Sequence, residues 1–240
     1  MEKISDDMVV IRDKKYNDWA RNRPAYISLV VPCIYALLYF NLYGEELSDL
    51  KYIITTLLGM SSIVGAVFFL YVFLIRDVSK IFPGKVLFAR TLKPTTKLLL
   101  SGDDTFTDET KNVIREKINK RYSIDLNSFS DKSGKDENYT KLIDEAVGRM
   151  RSDTRFDNIL FEYNCIYGFY RNLSAGVLLN VVMLTIAFVF SFFVTIPYAN
   201  TFMPLLIALL LFAVVLIYFA YTSGVTYAKQ MYDVFRGIEE

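Results

Sequence analysis

Four long apolar runs separate the polar stretches of the chain. They cover residues 27–43, 52–75, 173–196 and 202–221. Three of them reach the roughly 20 residues that cross a hydrocarbon core of about 30 Å. The first run is shorter and contains Pro32, but its tyrosines suit a membrane interface and a short loop connects it to the second run. The pattern predicts four membrane-spanning helices arranged as two pairs.

Lysine and arginine lie almost entirely on one side of the predicted spans. Six precede Pro24, 18 lie between the second and third spans, and two follow the last span. Only Lys51 lies beside a short loop, and the two short loops, 44–50 and 197–201, are acidic or uncharged. Because cytoplasmic loops are enriched in lysine and arginine, both termini and the middle segment are expected in the cytoplasm.

This orientation divides the chain into five segments and predicts a mainly α fold. The fold class is a four-helix transmembrane protein with a small α or α+β cytoplasmic domain between spans two and three. The segments are 1–26 (cytoplasmic N-terminal segment), 27–75 (first transmembrane pair), 76–172 (cytoplasmic ligand-sensing domain), 173–224 (second transmembrane pair) and 225–240 (cytoplasmic tail).

Local patterns in the middle segment predict mostly helices. Residues 107–122 have an N-capping threonine, acidic residues in the first turn and basic residues at the end, and the basic side of this helix is expected in solvent. A polar loop is expected over 129–138. A further helix starts near Tyr139, and it or a successor is expected to continue into the third span. Short strands are expected at 86–89 and 98–100.

The composition excludes several catalytic classes. The chain has no histidine, which excludes Ser-His-Asp and Cys-His nucleophile pairs and HExxH zinc sites. Glycine-rich phosphate loops are absent from the sequence. Cys33 and Cys165 are single thiols with an expected structural role. The acidic pairs at 103–104 and 108–109 fit a loop and a capped helix better than a magnesium site. We therefore assign no catalytic residue, metal or cofactor.

The third and fourth runs contain no charged side chain between Arg171 and Lys229. Ion-coupled carriers usually place an ionisable group at membrane depth, so this absence argues against that class. Polar residues such as Asn180 would allow hydrogen bonds between helices. Packing within one bundle is favoured for them over a subunit interface or a pore lining.

Basic and aromatic residues alternate just before the third span. Guanidinium groups pair with phosphate and aromatic rings stack on bases, so this stretch favours a nucleotide or a short oligonucleotide as ligand. The alternative is that the arginines mark the cytoplasmic boundary of the membrane and the rings form its interfacial belt. The candidate ligand-binding residues are Arg149, Arg151, Arg155, Tyr167 and Arg171, together with Arg90, Lys93 and Lys97 earlier in the segment.

The layout of two spans, a basic cytoplasmic domain and two further spans resembles membrane effectors of bacterial antiphage systems, in particular the channel-like HalA component of Hailong systems. The resemblance implies a homo-oligomer, with a tetramer favoured, in the bacterial inner membrane. It also implies control by a nucleotide from a partner nucleotidyltransferase, and a channel or pore that disrupts the host membrane. Two other functions stay open: an accessory or scaffold subunit of a membrane complex, and a membrane-bound enzyme acting on a lipid or nucleotide.

Overall fold

The fold comes from a computed structural model that describes residues 6–43, 60–85, 92–193 and 201–239. Within these ranges the chain is mainly helical and has no β-strand. Its helices are α1 (Asp6–Tyr16), α2 (Arg23–Tyr43), α3 (Met60–Ser79), α4 (Pro94–Lys97), α5 (Asp108–Tyr122), α6 (Glu137–Asp153), α7 (Asn158–Phe190) and α8 (Phe202–Gly237), with π-helical turns at Asn17–Asn22 and Lys80–Lys85.

The chain divides into two compact units. Unit 1 contains Met1–Lys85 and Gly168–Ala220, and unit 2 contains Val86–Tyr167 and Tyr221–Glu240. Two helices contribute to both units, since the start of α7 and the end of α8 belong to unit 2 and the remainder of each helix belongs to unit 1.

α7 and α8 are the two helices of the described residues that are long and apolar enough to cross a membrane. At 1.5 Å per residue they are roughly 50 Å long, more than the roughly 30 Å of a hydrocarbon core. Only 39% and 22% of their most apolar windows are buried, whereas a core helix of a soluble protein is mostly buried. Large side chains such as Leu211 and Val214 lie on the exposed surface. This surface is the kind that lipid covers.

The first two predicted spans are helical wherever the structure describes them. α2 covers the first run, and α3 covers the described part of the second. The two short loops lie outside the described residues except for Thr201, and so do the first residues of the second run. The sequence-predicted helices are thus present, while crossing of the membrane by α2 and α3 stays a prediction.

Buried amide side chains connect the helices of unit 1. The Asn172 side chain donates a hydrogen bond to the Ala20 carbonyl, and Asn180 Nδ2 donates to the Ser28 carbonyl at 2.6 Å. The Tyr71 hydroxyl donates to Asn180 Oδ1 at 3.2 Å. Asn180 therefore joins α2, α3 and α7, which confirms the expected hydrogen bonds between helices from this residue.

Unit 2 has its own hydrophobic core, and the end of α8 lies in the middle of it. Met231, Tyr232 and Phe235 are completely buried there, among side chains from α5, α6 and the start of α7. The last residues of the sequence, which we expected as a cytoplasmic tail, thus contribute to the core of this unit. Burying three such large side chains stabilises the unit by several kcal/mol, at about 1.5–3 kcal/mol for each.

Helix ends in unit 2 follow the sequence signals closely. The Thr107 side chain accepts a hydrogen bond from the Thr110 N–H and caps α5, which ends at Tyr122 as predicted. Asp136 caps α6, so that helix starts at Glu137, slightly before the predicted position. The expected continuation into the third span is confirmed, because α7 runs unbroken from Asn158.

The expected strand at 98–100 is wrong. Leu98 N–H donates to the Pro94 carbonyl, and Leu100 N–H donates to the Lys97 carbonyl. These local bonds continue the turn of α4, so the three leucines reach the core from a helical turn. The other expected strand, 86–89, lies outside the described residues.

Gly176 gives a test of the close approach between α7 and α2. A Cβ at this position would lie 2.5 Å from Ser28 Oγ and 2.6 Å from Ser28 Cβ. We expect Gly176→Ala to destabilise the detergent-solubilised protein by about 1–3 kcal/mol, seen as a lower Tm, because the helices must separate. The matched control is Gly65→Ala on α3, where a Cβ meets nothing within 4 Å. An equal loss in both variants would contradict the expectation.

Candidate functional site

Two of the predicted ligand-binding lysines lie at the ends of α4, and both face carboxylates. Lys93 Nζ is 2.6 Å from Asp144 Oδ2 on α6, while the Thr96 hydroxyl donates to Asp144 Oδ1 at 2.5 Å. Lys97 Nζ is 3.9 Å from Asp103 Oδ2. Asp144 therefore holds α4 against α6, and a phosphate ligand would compete with it for Lys93.

Arg149 binds the C-terminal end of α5. Its guanidinium donates to Glu145 Oε1 at 2.7 Å and to the Tyr122 carbonyl at 3.1 Å, and it lies 5.9 Å from the centre of the Tyr122 ring. The last carbonyls of a helix have no donor within the helix, so this contact satisfies one of them. The geometry gives Arg149 a structural role in unit 2.

The same end of α5 carries a second ion pair. Arg121 Nε is 2.5 Å from Asp153 Oδ2, and the Tyr122 hydroxyl donates to that oxygen at 2.9 Å. Burial raises the pKa of the Tyr122 hydroxyl, and the neighbouring Asp153 carboxylate raises it further. The phenol therefore stays protonated and keeps donating this hydrogen bond at neutral pH.

Arg151 differs from these paired residues. Its side chain is exposed and, within the described part of the chain, makes no ion pair. It lies two helical turns after Asp144, on the same side of α6 and roughly 10 Å away along the helix axis. Gly148 lies between the two, and a Cβ there would meet nothing within 4 Å. This side of α6 thus presents an open backbone position between the Lys93–Asp144 ion pair and the Arg151 guanidinium. We call these four residues the Gly148 surface.

The remaining predicted residues do not gather around the Gly148 surface as one cluster. Arg155 is exposed and lies 5.7 Å over the Phe156 ring. Tyr167 stacks on Tyr227 of α8, with ring centres 6.3 Å apart, inside unit 2. Arg171 belongs to unit 1. Arg90 lies outside the described residues.

Two buried cations on α5 correct the expectation that its basic side faces solvent. Lys111 and Arg115 are only 1% and 4% exposed. The Lys111 ammonium donates to the Asp103 carbonyl, and Arg115 donates to the Leu99 carbonyl at 2.6 Å. Lys111 and Arg115 lie within one helical turn of the core residue Ile114. Their position on the apolar face of α5 could therefore have indicated that they are buried.

The acidic residue Asp103 forms a turn before α5. Within the described residues, no three histidine, cysteine or carboxylate side chains come together as metal ligands. Asp103 Oδ1 instead accepts from the Thr105 N–H at 3.0 Å, which forms a tight turn before α5. This matches the reading of a loop followed by a capped helix.

A tyrosine that sequence reasoning missed lies beneath the Gly148 surface. Tyr232 on α8 is completely buried, and its hydroxyl donates to the Thr95 carbonyl. Burial raises the pKa of Tyr232 strongly, the positive charge of Arg151 opposes this, and the Asp144 carboxylate adds to it. Thr95 is followed directly by Thr96, whose hydroxyl binds Asp144, so the hydrogen bond to Thr95 places the phenol next to this surface.

Comparison of the chain with protein-family models, with curated proteins and with solved structures gives no match. The resemblance to antiphage effectors therefore stays an expectation from the layout of the sequence.

Tyr232 predicts an alkaline loss of stability. Its folded-state pKa lies above the ordinary value of 10.0, so the unfolded chain releases this proton first as the pH rises past about 10. The stabilisation is complete below that pH and is lost above it. We expect the Tm in detergent to fall between pH 9 and pH 11, and to fall less in Tyr232→Phe, which keeps the ring. Equal falls in both proteins would contradict the assignment.

Proposed function

We propose that this chain is an oligomeric membrane effector, a channel or pore whose opening is controlled by an anionic ligand on a cytoplasmic domain. The observation that carries the proposal is the continuity of α7 and α8. Each helix has a membrane-length apolar part in unit 1 and contributes buried side chains to the core of unit 2, among them Leu160 and Phe235. An event that repacks this core therefore acts on helices that also form the apolar unit.

The contacts within each unit are compatible with the four proposed crossings arranged as two pairs. Ala20 and Asn172 are hydrogen-bonded, so they lie on the same side of a membrane, and the number of crossings between them is even. Leu160 and Met231 share the core of unit 2, so the number of crossings between these two residues is also even. Both conditions are met if the first two helices cross as one pair and the last two as another. This agrees with the positive-inside orientation.

The Gly148 surface is the best-supported place for the ligand. Arg151 makes no ion pair within the described residues, and Gly148 leaves room for close approach. Arg155 follows four positions later, just past the end of α6. Guanidinium groups bind phosphate bidentately, which fits a nucleotide or short oligonucleotide. Lys93 would join the ligand site by leaving its ion pair with Asp144 and binding the phosphate instead. A ligand that prefers one packing of unit 2 shifts the population toward it.

As in the antiphage effectors that the layout resembles, the ligand would come from a partner nucleotidyltransferase, and opening would depolarise the host membrane. A homo-oligomer is required, since a pore on a symmetry axis is built from several copies. A tetramer is favoured.

Orientation is tested by cysteine labelling in a background that lacks Cys33 and Cys165. We expect a cysteine at Glu46 to react with a membrane-impermeant maleimide in intact cells, and a cysteine at Ser133 to react only after lysis. Labelling of the Ser133 position in intact cells would contradict the cytoplasmic location of unit 2.

Function is tested by expressing the chain in a bacterial host and recording membrane potential with a voltage-sensitive dye. We expect expression to depolarise the membrane and the double variant Arg151→Ala/Arg155→Ala to change the extent several-fold, because phosphate binding is lost. The control is Lys141→Ala, an exposed α6 lysine that pairs with Glu137 on its own helix. No depolarisation by the parent chain would contradict a pore. Equal depolarisation by all three proteins would contradict a ligand site at the Gly148 surface.

A further inference from the structure

Two prolines leave backbone carbonyls of the first helical segment without their helical donors. In an α-helix the carbonyl of residue i accepts from the N–H of residue i+4. Proline has no N–H, so Pro32 cannot serve the carbonyl of Ser28 within α2. Ala20 lies near the end of the π-helical turn Asn17–Asn22, and where the backbone returns to α-helical spacing in α2, Pro24 cannot serve the Ala20 carbonyl. Both prolines lie within helical backbone, Pro24 near the start of α2 and Pro32 in its interior.

The two carbonyls that lose these donors are the ones that α7 binds. The Asn172 side chain donates to Ala20 O, and Asn180 Nδ2 donates to Ser28 O at 2.6 Å. Each asparagine lies 152 positions after the carbonyl that it binds. The two contacts therefore follow the two helices in the same direction and with the same spacing of eight residues.

Asparagine side chains are short, and they reach the facing carbonyls because the two backbones approach each other closely. A Cβ on Gly168 would lie 2.7 Å from Ala20 Cβ, and one on Gly176 would lie 2.6 Å from Ser28 Cβ. On α7, glycine and asparagine alternate every four residues from Gly168 to Asn180. On the facing segment a small residue and a proline alternate with the same period, from Ala20 to Pro32. The two patterns are complementary along the whole contact.

We infer that Asn172 and Asn180 replace the backbone donors that Pro24 and Pro32 remove, and that this amide ladder fixes the register and the parallel direction of α2 and α7. An unsatisfied carbonyl in an apolar environment is strongly unfavourable, and neighbouring helices are one way to satisfy it. A shift of α7 by one residue would leave both carbonyls and both amides unpaired. α2 and α7 therefore move as one body, and the asparagines are positioning residues. The inference concerns helix pairing and does not rest on channel activity.

The test is a compensation experiment at the Pro32 contact. Asn180→Leu keeps the side-chain size and removes the donor, while Pro32→Ala restores a backbone N–H for Ser28 O. Both changes are made in a Tyr71→Phe background, because the Tyr71 hydroxyl otherwise loses its acceptor on Asn180. We expect Asn180→Leu to lower the Tm of the purified protein in detergent by several degrees when residue 32 is proline, and by much less when it is alanine.

The unmatched proline supplies the control. Pro24→Ala should leave the effect of Asn180→Leu unchanged, and it should instead diminish the effect of Asn172→Leu. If Asn180→Leu cannot be purified, recovery of folded protein by Pro32→Ala is the expected result. The inference is overturned if Asn180→Leu lowers the Tm or the yield equally with either residue at position 32, or if Pro24→Ala compensates as well as Pro32→Ala does.

Discussion

A backbone carbonyl in an apolar environment needs a hydrogen-bond donor, and unit 1 depends on how that need is met. At Ser28 the donor comes from Asn180 on α7, since Pro32 has none to offer. The same amide accepts from Tyr71 on α3, so one side chain connects three helices. Contacts between apolar side chains have little directional preference, so alone they select a helix register only weakly. Directional hydrogen bonds supply that selection.

Unit 2 depends on a different kind of interaction, the burial of large side chains from distant parts of the chain. Tyr232 and Phe235 come from the end of α8, and Leu160 comes from the start of α7. Without these residues the middle segment would have a small core and marginal stability. The unit is therefore built from the same two helices that carry the apolar surface of unit 1. The proposed control by a ligand would need such a shared element, because a ligand on one unit affects the other only if both units change together between two states.

Local signals in the sequence predicted much of the fold. The Thr107 cap and the charges at both ends of α5 predicted that helix, and the uninterrupted apolar run predicted the later part of α7. The leucines at 98–100 were misread because their periodicity is too short to separate a strand from a helical turn. Lysine and arginine usually lie in solvent, so the sequence did not predict burial of Lys111 and Arg115, which the apolar face of α5 brings into the core.

The candidate site was harder to predict, because its electrostatics depend on residues far apart in sequence. Asp144 neutralises Lys93 across 51 positions, and Arg149 reaches the Tyr122 carbonyl across 27. Neither contact has a local signature. Arg151 stands out only when its paired neighbours are known, and the open side of α6 at Gly148 follows from packing.

The amide ladder has a consequence for the order of events during synthesis. Its partners are separated by 152 positions in the chain. At roughly 5–20 residues per second, α7 leaves the ribosome about 8–30 seconds after α2 does. Through that interval the carbonyls of Ala20 and Ser28 have no amide from α7. In the proposed four-span arrangement, the first helix would wait beside the translocation machinery or near the aqueous interface and complete its insertion only when this much later part of the chain arrives.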